Sequence, residues 1–269
     1  MSRQFRSTTL PNGKMVFCLQ VREVDLMYDE VREYFDNGID IRENDTVFDV
    51  GANIGIFTLG IHERFGPGIR IMAFEPISPV FEILSKNVAH HQLHGTEVFP
   101  IGLSKQGGHL PFSYFPRAPL ISTAYPAGWK EELAAALLCN TRQFPLMLQW
   151  LSLIPDRLRA MLIGLMFRFL HPEVMVCPVR TVSDIVRERD IDRIDLLKID
   201  VERSELDVLD GIEECHWERI RQIVVEIHNV NERVSTVTGM LRDRGFSRIT
   251  SGKGSALTNP GISTLYATR

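Results

Sequence analysis

Residues 46–65 read TVFDVGANIGIFTLGIHERF. The first five are a compact apolar run with strand character, and the last ten carry apolar residues at helical spacing. Between them, Gly51 leaves the turn without a Cβ over the strand's carboxyl end, where a ligand can lie. Gly55 is expected to let the helix pack close to the strand. Asn53 stands where the GxGxxG fingerprint has its second glycine, the one that lets backbone approach a pyrophosphate. The turn therefore argues against a dinucleotide, and so against a dehydrogenase, and fits a nucleoside without a diphosphate.

Working outward, residues 70–74 form a second strand, 78–91 a helix with Pro79 near its start, and 96–101 a third strand. Strand, helix, strand, helix, strand predicts an α/β fold with a doubly wound parallel sheet. The rhythm resumes with a helix at 181–189 capped by Thr181 or Ser183, a strand at 195–199, and a short helix at 205–211. A strand at 222–227, a helix at 234–245 and a last strand at 265–267 follow. Upstream lie a short strand at 15–21 and a helix at 24–35.

The chain has 269 residues, more than one ordinary domain needs. Much of the excess falls at 104–174, where three helices are expected at 128–140, 144–153 and 156–170. The chain thus reads as a single domain over 1–269, with an N-terminal segment and helix at 1–44 and a mostly helical insertion at 104–174. A lid over the pocket at the strand ends, a packed layer or dimer surface, and an interfacial membrane contact are the readings of that insertion.

Lys plus Arg is 30 against 34 for Asp plus Glu, a net charge of −4, which demands no basic face and disfavours nucleic acid as a partner. The most apolar run, 158–170, is too short to span a bilayer and carries Arg159 and Arg168. The N-terminus has no apolar signal core, and the four cysteines form no CxxC pair. Reduced, buried or half-buried thiols in a cytoplasmic protein are expected.

Chemistry gathers at three further strand ends. Glu75 follows the second strand, twenty residues after Gly55, where an acid can accept hydrogen bonds from ribose hydroxyls. Asp200 and Glu202 follow the fourth strand, and Glu226 and His228 close the fifth. Parallel strands bring these carboxyl ends to one edge, and alternation points each pair the same way. A histidine held by carboxylates is a natural general base; a structural hydrogen-bond network and a hard-metal site fit the same residues.

FDVGANIGIFTL, AFEPISPVFEIL, IDLLKIDVERSELDVLDGI and QIVVEIHN, in this order, resemble the FkbM family of S-adenosylmethionine-dependent methyltransferases, with the flavour of members from polyketide and nonribosomal-peptide pathways. The resemblance implies a class I methyltransferase, Rossmann-like fold with a seven-stranded sheet. It implies a donor site at Asp49, Gly51, Asn53, Gly55 and Glu75, with Gly102 and Leu103 at the adenine edge and Asp200 near the reacting centre. Arg203-Ser204 departs from the more usual Gly-Ala and is expected to change surface detail only; Asn229 stands where relatives look more like Asp.

The implied reaction is methyl transfer to a hydroxyl of a natural-product, polyketide or lipid-like acceptor, either free or carrier-tethered. His228 is the candidate base, Glu226 or Glu202 its orienting partner. Carbon or nitrogen methylation, or a non-catalytic donor-binding partner in a biosynthetic assembly, are the alternatives. A metal is neither required nor excluded by these carboxylates. Tyr114, Ser122, Thr123 and Tyr125 before the insertion, and Tyr28, Glu30 and Tyr34 on the N-terminal helix, are candidate walls of the acceptor pocket, with Tyr28 and Tyr125 the substrate-binding choices. A homodimer, or contact with an assembly through the insertion, is the expected partnership.

Overall fold

In the computed structural model, the structure describes residues 5–126, 155, 158, 161, 170–228, 232–253 and 262–269. The expected helices of 128–170 lie outside these residues except for single positions, as does Asn229.

The 46–65 stretch folds as read: β3 is Thr46–Val50 and α2 is Ile56–Phe65. Around it run the hairpin β1 (Arg6–Thr9) and β2 (Met15–Cys18), α1 (Val21–Asp36), β4 (Arg70–Phe74), α3 (Ser78–His90) and β5 (Thr96–Phe99). Further on come β9 (Leu196–Ile199), α5 (Glu205–Asp210), α6 (Glu214–Trp217), β10 (Gln222–His228), α7 (Arg233–Asp243), β11 (Arg248–Lys253) and β12 (Ile262–Thr268). Before β9, α4 (Val182–Glu188) starts at Thr181, whose side chain accepts from the Asp184 N–H while Asp184 accepts from the Thr181 N–H. Ser183 is not the cap; its hydroxyl accepts from the Glu213 N–H instead.

A seven-stranded sheet runs in the order β11-β12-β10-β9-β3-β4-β5. The five strands from β10 to β5 are parallel, and β12 is antiparallel to both its neighbours. From β3 the chain winds outward through β4 and β5, then returns to lay β9 on the other side. The order therefore reverses between β3 and β9, and the crevice at their carboxyl ends is where such sheets bind ligands.

Alternation along the strands builds two cores. Val47, Ile71, Leu196 and Val224 pack with α1, α2, α3 and the hairpin. Phe48, Met72, Leu197 and Val225 pack with α4, α5, α6 and α7. Helices on both faces make this the doubly wound, class I methyltransferase architecture expected.

The insertion needs a correction at its base. Its near end is not helical: β7 (Gly108–Tyr114) pairs antiparallel with β8 (Glu173–Arg180), and β6 (Gly102–Leu103) pairs parallel with β8. This three-stranded sheet ties the two ends of the segment together beside the carboxyl edge. Among the described residues no helix is long and apolar enough to cross a membrane. Cys18 and Cys177 are buried free thiols, but Cys215 is exposed, unlike the buried or half-buried position expected.

Candidate active site

The β3 and β9 loops touch. Gly51 has φ 78°, and a Cβ there would lie 1.8 Å from the Asp200 carbonyl oxygen. Both Gly51 and Ala52 donate their N–H to the Phe74 carbonyl, which fastens the turn to β4. Asn53 also holds a positive φ, 50°, and its N–H donates to Glu75 Oε2 at 3.1 Å. The Ile77 N–H donates to Glu75 Oε1 at 2.9 Å. Each Glu75 oxygen thus keeps a lone pair for a ligand. Burial pushes the Glu75 carboxyl up to about 7, against the pull of those two N–H groups.

Gly51, Asn53, Glu75, Gly102, Leu103 and Asp200 all line one cavity of about 370 Å³ at the crevice. Asp49 and Gly55 do not. Asp49 is fully buried behind the turn, accepting from Thr58 Oγ1 at 2.7 Å and paired with Lys198 Nζ at 3.2 Å. Gly55 is the left-handed N-cap of α2, and a Cβ there would crowd Leu84 of α3 rather than the strand. Both shape the turn from behind.

Lys198, quoted in the motif but given no role, is a hub. Its ammonium donates to the Gly51 carbonyl at 2.9 Å and lies 3.4 Å from Asp200 Oδ2. Burial works against its charge, but Asp49 and Asp200 outweigh burial and raise its pKa. It stays protonated and locks the two loops together.

His228 is clamped. Its Nδ1 is 3.0 Å from Glu205 Oε1 and its Nε2 is 3.1 Å from Glu202 Oε2. Burial lowers its pKa, yet the two carboxylates overcome burial and push it well above the ordinary histidine value. At neutral pH it is an imidazolium, not a free base. Its second partner is Glu205, not Glu226. Glu205, fully buried, also accepts from the Arg203 N–H at 2.8 Å and from Arg233 Nη1 at 3.3 Å.

Arg203 and Ser204 are not surface detail: both are buried and line the cavity. Glu202 and Arg203 have successive positive φ values, 43° and 77°, a conformation that costs about 1–3 kcal/mol per non-glycine residue. Bonds from Thr123 Oγ1 to the Glu202 carbonyl and from Arg233 to the Arg203 carbonyl hold it in place.

Glu226 faces α1. Its carboxyl hydrogen-bonds Glu30, and its Oε2 is buried with no hydrogen-bond partner among the described residues. Tyr34 Oη donates to Glu30 Oε1 at 3.1 Å. Met27, Glu30, Val31 and Tyr34 line the cavity from α1, but Tyr28 does not. Ser122 and Thr123 line it on the far side; Tyr114 and Tyr125 do not, and the Tyr125 hydroxyl bonds Asp207 on the surface.

The family described as "Methyltransferase FkbM domain" matches residues 171–248. The chain is 36% identical to 31-O-demethyl-FK506 methyltransferase FkbM of Streptomyces tacrolimicus, over 92% of this chain and 91% of that protein. It is 33% identical to a segment of AMB antimetabolite synthetase AmbE of Pseudomonas aeruginosa, over 88% of this chain but only 11% of that much longer protein. Among solved structures, a SAM-dependent methyltransferase from Aquifex aeolicus is similar with a TM-score of 0.43 and 10% identity, over 92% of this chain and 93% of the other.

Proposed function

The chain belongs to the FkbM family of methyltransferases, and on that premise we propose that it transfers a methyl group from S-adenosylmethionine to a hydroxyl oxygen of a natural-product, polyketide or lipid-like acceptor. The observation that carries the donor reading is Glu75: a buried carboxylate at the end of β4, held by two backbone N–H groups beside the Asn53 turn, with lone pairs left toward the cavity. When bound, the donor supplies an electrophilic methyl carbon on a positively charged sulfur.

The residues present fit such a molecule. Glu75 accepts from the ribose hydroxyls, Gly51 and Asn53 border the turn beneath it, and Gly102 and Leu103 border the adenine. Asp200, Glu202, Glu226 and Glu30 make the rest of the cavity rich in carboxyls, the chemistry a cation seeks. Met27, Val31, Leu110, Phe112 and Leu120 form an apolar wall suited to a greasy acceptor.

Oxygen as the nucleophile is supported by the name of the Streptomyces tacrolimicus relative, and natural-product chemistry by the likeness to a synthetase segment. His228 serves as a fixed cation that aligns Glu202 through Nε2. Aligning oxygen, methyl carbon and sulfur supplies the remaining acceleration.

Calorimetry with S-adenosylhomocysteine tests the donor site. Glu75→Ala loses two charge-assisted hydrogen bonds, and affinity is expected to fall about 10- to 100-fold. Unchanged affinity removes Glu75 from the ribose. The reaction itself is read with labelled S-adenosylmethionine and a hydroxyl panel that includes 31-O-demethyl-FK506. An O-methyl resonance in the product is the expected result. A methyl on carbon or nitrogen, or donor binding with no transfer, would each replace the oxygen reading.

A further inference from the structure

The Glu30–Glu226 pair lines the cavity and takes no part in ribose binding or the His228 clamp. Two carboxyls in contact inside a protein cannot both ionise, so the pair keeps at least one proton. Glu226 Oε2 is buried without a hydrogen-bond partner among the described residues, and Glu226 lies in the cavity lining. The groups facing it are Tyr34 from α1, Lys198 and Asp200 from β9 and its end, Glu202 from the following loop, and Tyr266 from β12.

We propose that the Glu30–Glu226 pair stores an exchangeable proton on Glu30, that the cationic methyl donor displaces this proton on binding, and that the Glu30 carboxylate so formed takes the acceptor hydroxyl's proton during transfer. The inference rests on the methyltransferase reading above.

The division of labour follows from the surroundings. Burial and the Asp200 charge push Glu30 up to about 7, while the Glu226 hydrogen bond, Lys198 and Tyr34 hold it from going higher. Burial and the charges of Glu30 and Asp200 drive Glu226 further up. Glu226 therefore keeps its proton and donates to Glu30, and Glu30 is the group that exchanges. A positive sulfur in the same poorly solvated cavity favours the ionised pair. In the transfer, the acceptor O–H bond breaks and its proton goes to Glu30. The O–CH₃ bond forms as the S–CH₃ bond breaks, and that electron pair stays on sulfur. A sulfonium and a carboxylate become a neutral thioether and a neutral acid, so the charge that entered with the donor is cancelled within the cavity.

Proton release on ligand binding tests this without an acceptor. Binding of S-adenosylmethionine and of S-adenosylhomocysteine is measured calorimetrically at pH 6.5 in two buffers of different ionisation enthalpy. Any proton lost from Glu75 at the ribose is common to both ligands and cancels. The cationic ligand is expected to release about three-quarters of a proton more than the neutral one, the share that a group titrating near 7 still holds. In Glu30→Gln both ligands still bind and the difference vanishes. In the wild type, the infrared carbonyl absorption of protonated carboxyls is expected to fall by one carboxyl more with the cationic ligand than with the neutral one; this decides the matter if the variant does not fold. Equal proton release by the two ligands in the wild type, a difference that survives Glu30→Gln, or a band indifferent to ligand charge overturns the proposal. Failure of both ligands to bind the wild type overturns the donor reading instead.

Discussion

Gly51→Ala is expected to lower the melting temperature by more than 10 °C, or to prevent folding, while Gly13→Ala costs only a few degrees. The two glycines have nearly the same backbone conformation, φ 78° and 86°. Each alanine therefore pays a similar penalty for the left-handed region, of order 1–2 kcal/mol. They differ in what the new Cβ meets. Among the described residues nothing lies within 4 Å at Gly13, whereas at Gly51 the Asp200 carbonyl oxygen is 1.8 Å away. That oxygen belongs to backbone and cannot rotate aside. Relief requires the ends of β3 and β9 to part, which would break the Lys198 bridge from the Gly51 carbonyl to Asp200 and leave that lysine buried among separated partners. For a domain of this size about 2–4 °C corresponds to each kcal/mol, so the gap between the two variants measures the contact itself. Comparable losses in a thermal melt would mean that the two loops do not touch in solution. If the variant folds, its affinity for S-adenosylhomocysteine should also collapse, because the same turn carries Asn53 to Glu75.

What the sequence revealed, and what it withheld, follows from the range of the contacts. Thr46–Val50 and Arg70–Phe74 are buried parallel strands flanked by helices, so each is an apolar run whose limits can be read directly. β7 and β8 each contain a proline, Pro111 and Pro178, and their pairing joins segments separated by the whole insertion; neither composition nor local period announces it. β11 reads RITSGK, too polar to stand out, and among the described residues pairs only with β12. At the site, Glu75, Asp200, Glu202, Glu226 and His228 could be placed at one edge because strand ends are countable. Their partners could not. Glu205 sits in the first turn of α5, where an acid is ordinary, and only the approach of β10 makes it the anchor of His228. One signal was available: Met27, Glu30, Val31 and Tyr34 recur at helical spacing and form the stripe that faces the cavity, while Tyr28 lies off it.

Glu205→Gln tests that anchor and carries the second large effect. Glu205 receives the imidazolium of His228, the guanidinium of Arg233 and the Arg203 N–H, and it is fully buried. Replacing one partner of a buried charge cluster strands the others, at a cost of about 3–5 kcal/mol. The amide keeps the shape, so the loss is electrostatic and should depend on pH. His228 has a folded pKa above its unfolded one. Its contribution is therefore fully present below the unfolded histidine value, near 6.5, and fades as pH rises through the folded value. The difference in stability between wild type and Glu205→Gln should accordingly be largest at pH 6 and narrow in strongly alkaline solution. Denaturant melts across that range check it; a difference that is flat with pH would mean that His228 is neutral in the folded protein and free to act as a base. Because Glu205 also fixes the Arg203 N–H in its left-handed turn, the variant should loosen the 202–204 loop and weaken binding of S-adenosylhomocysteine even where it remains folded.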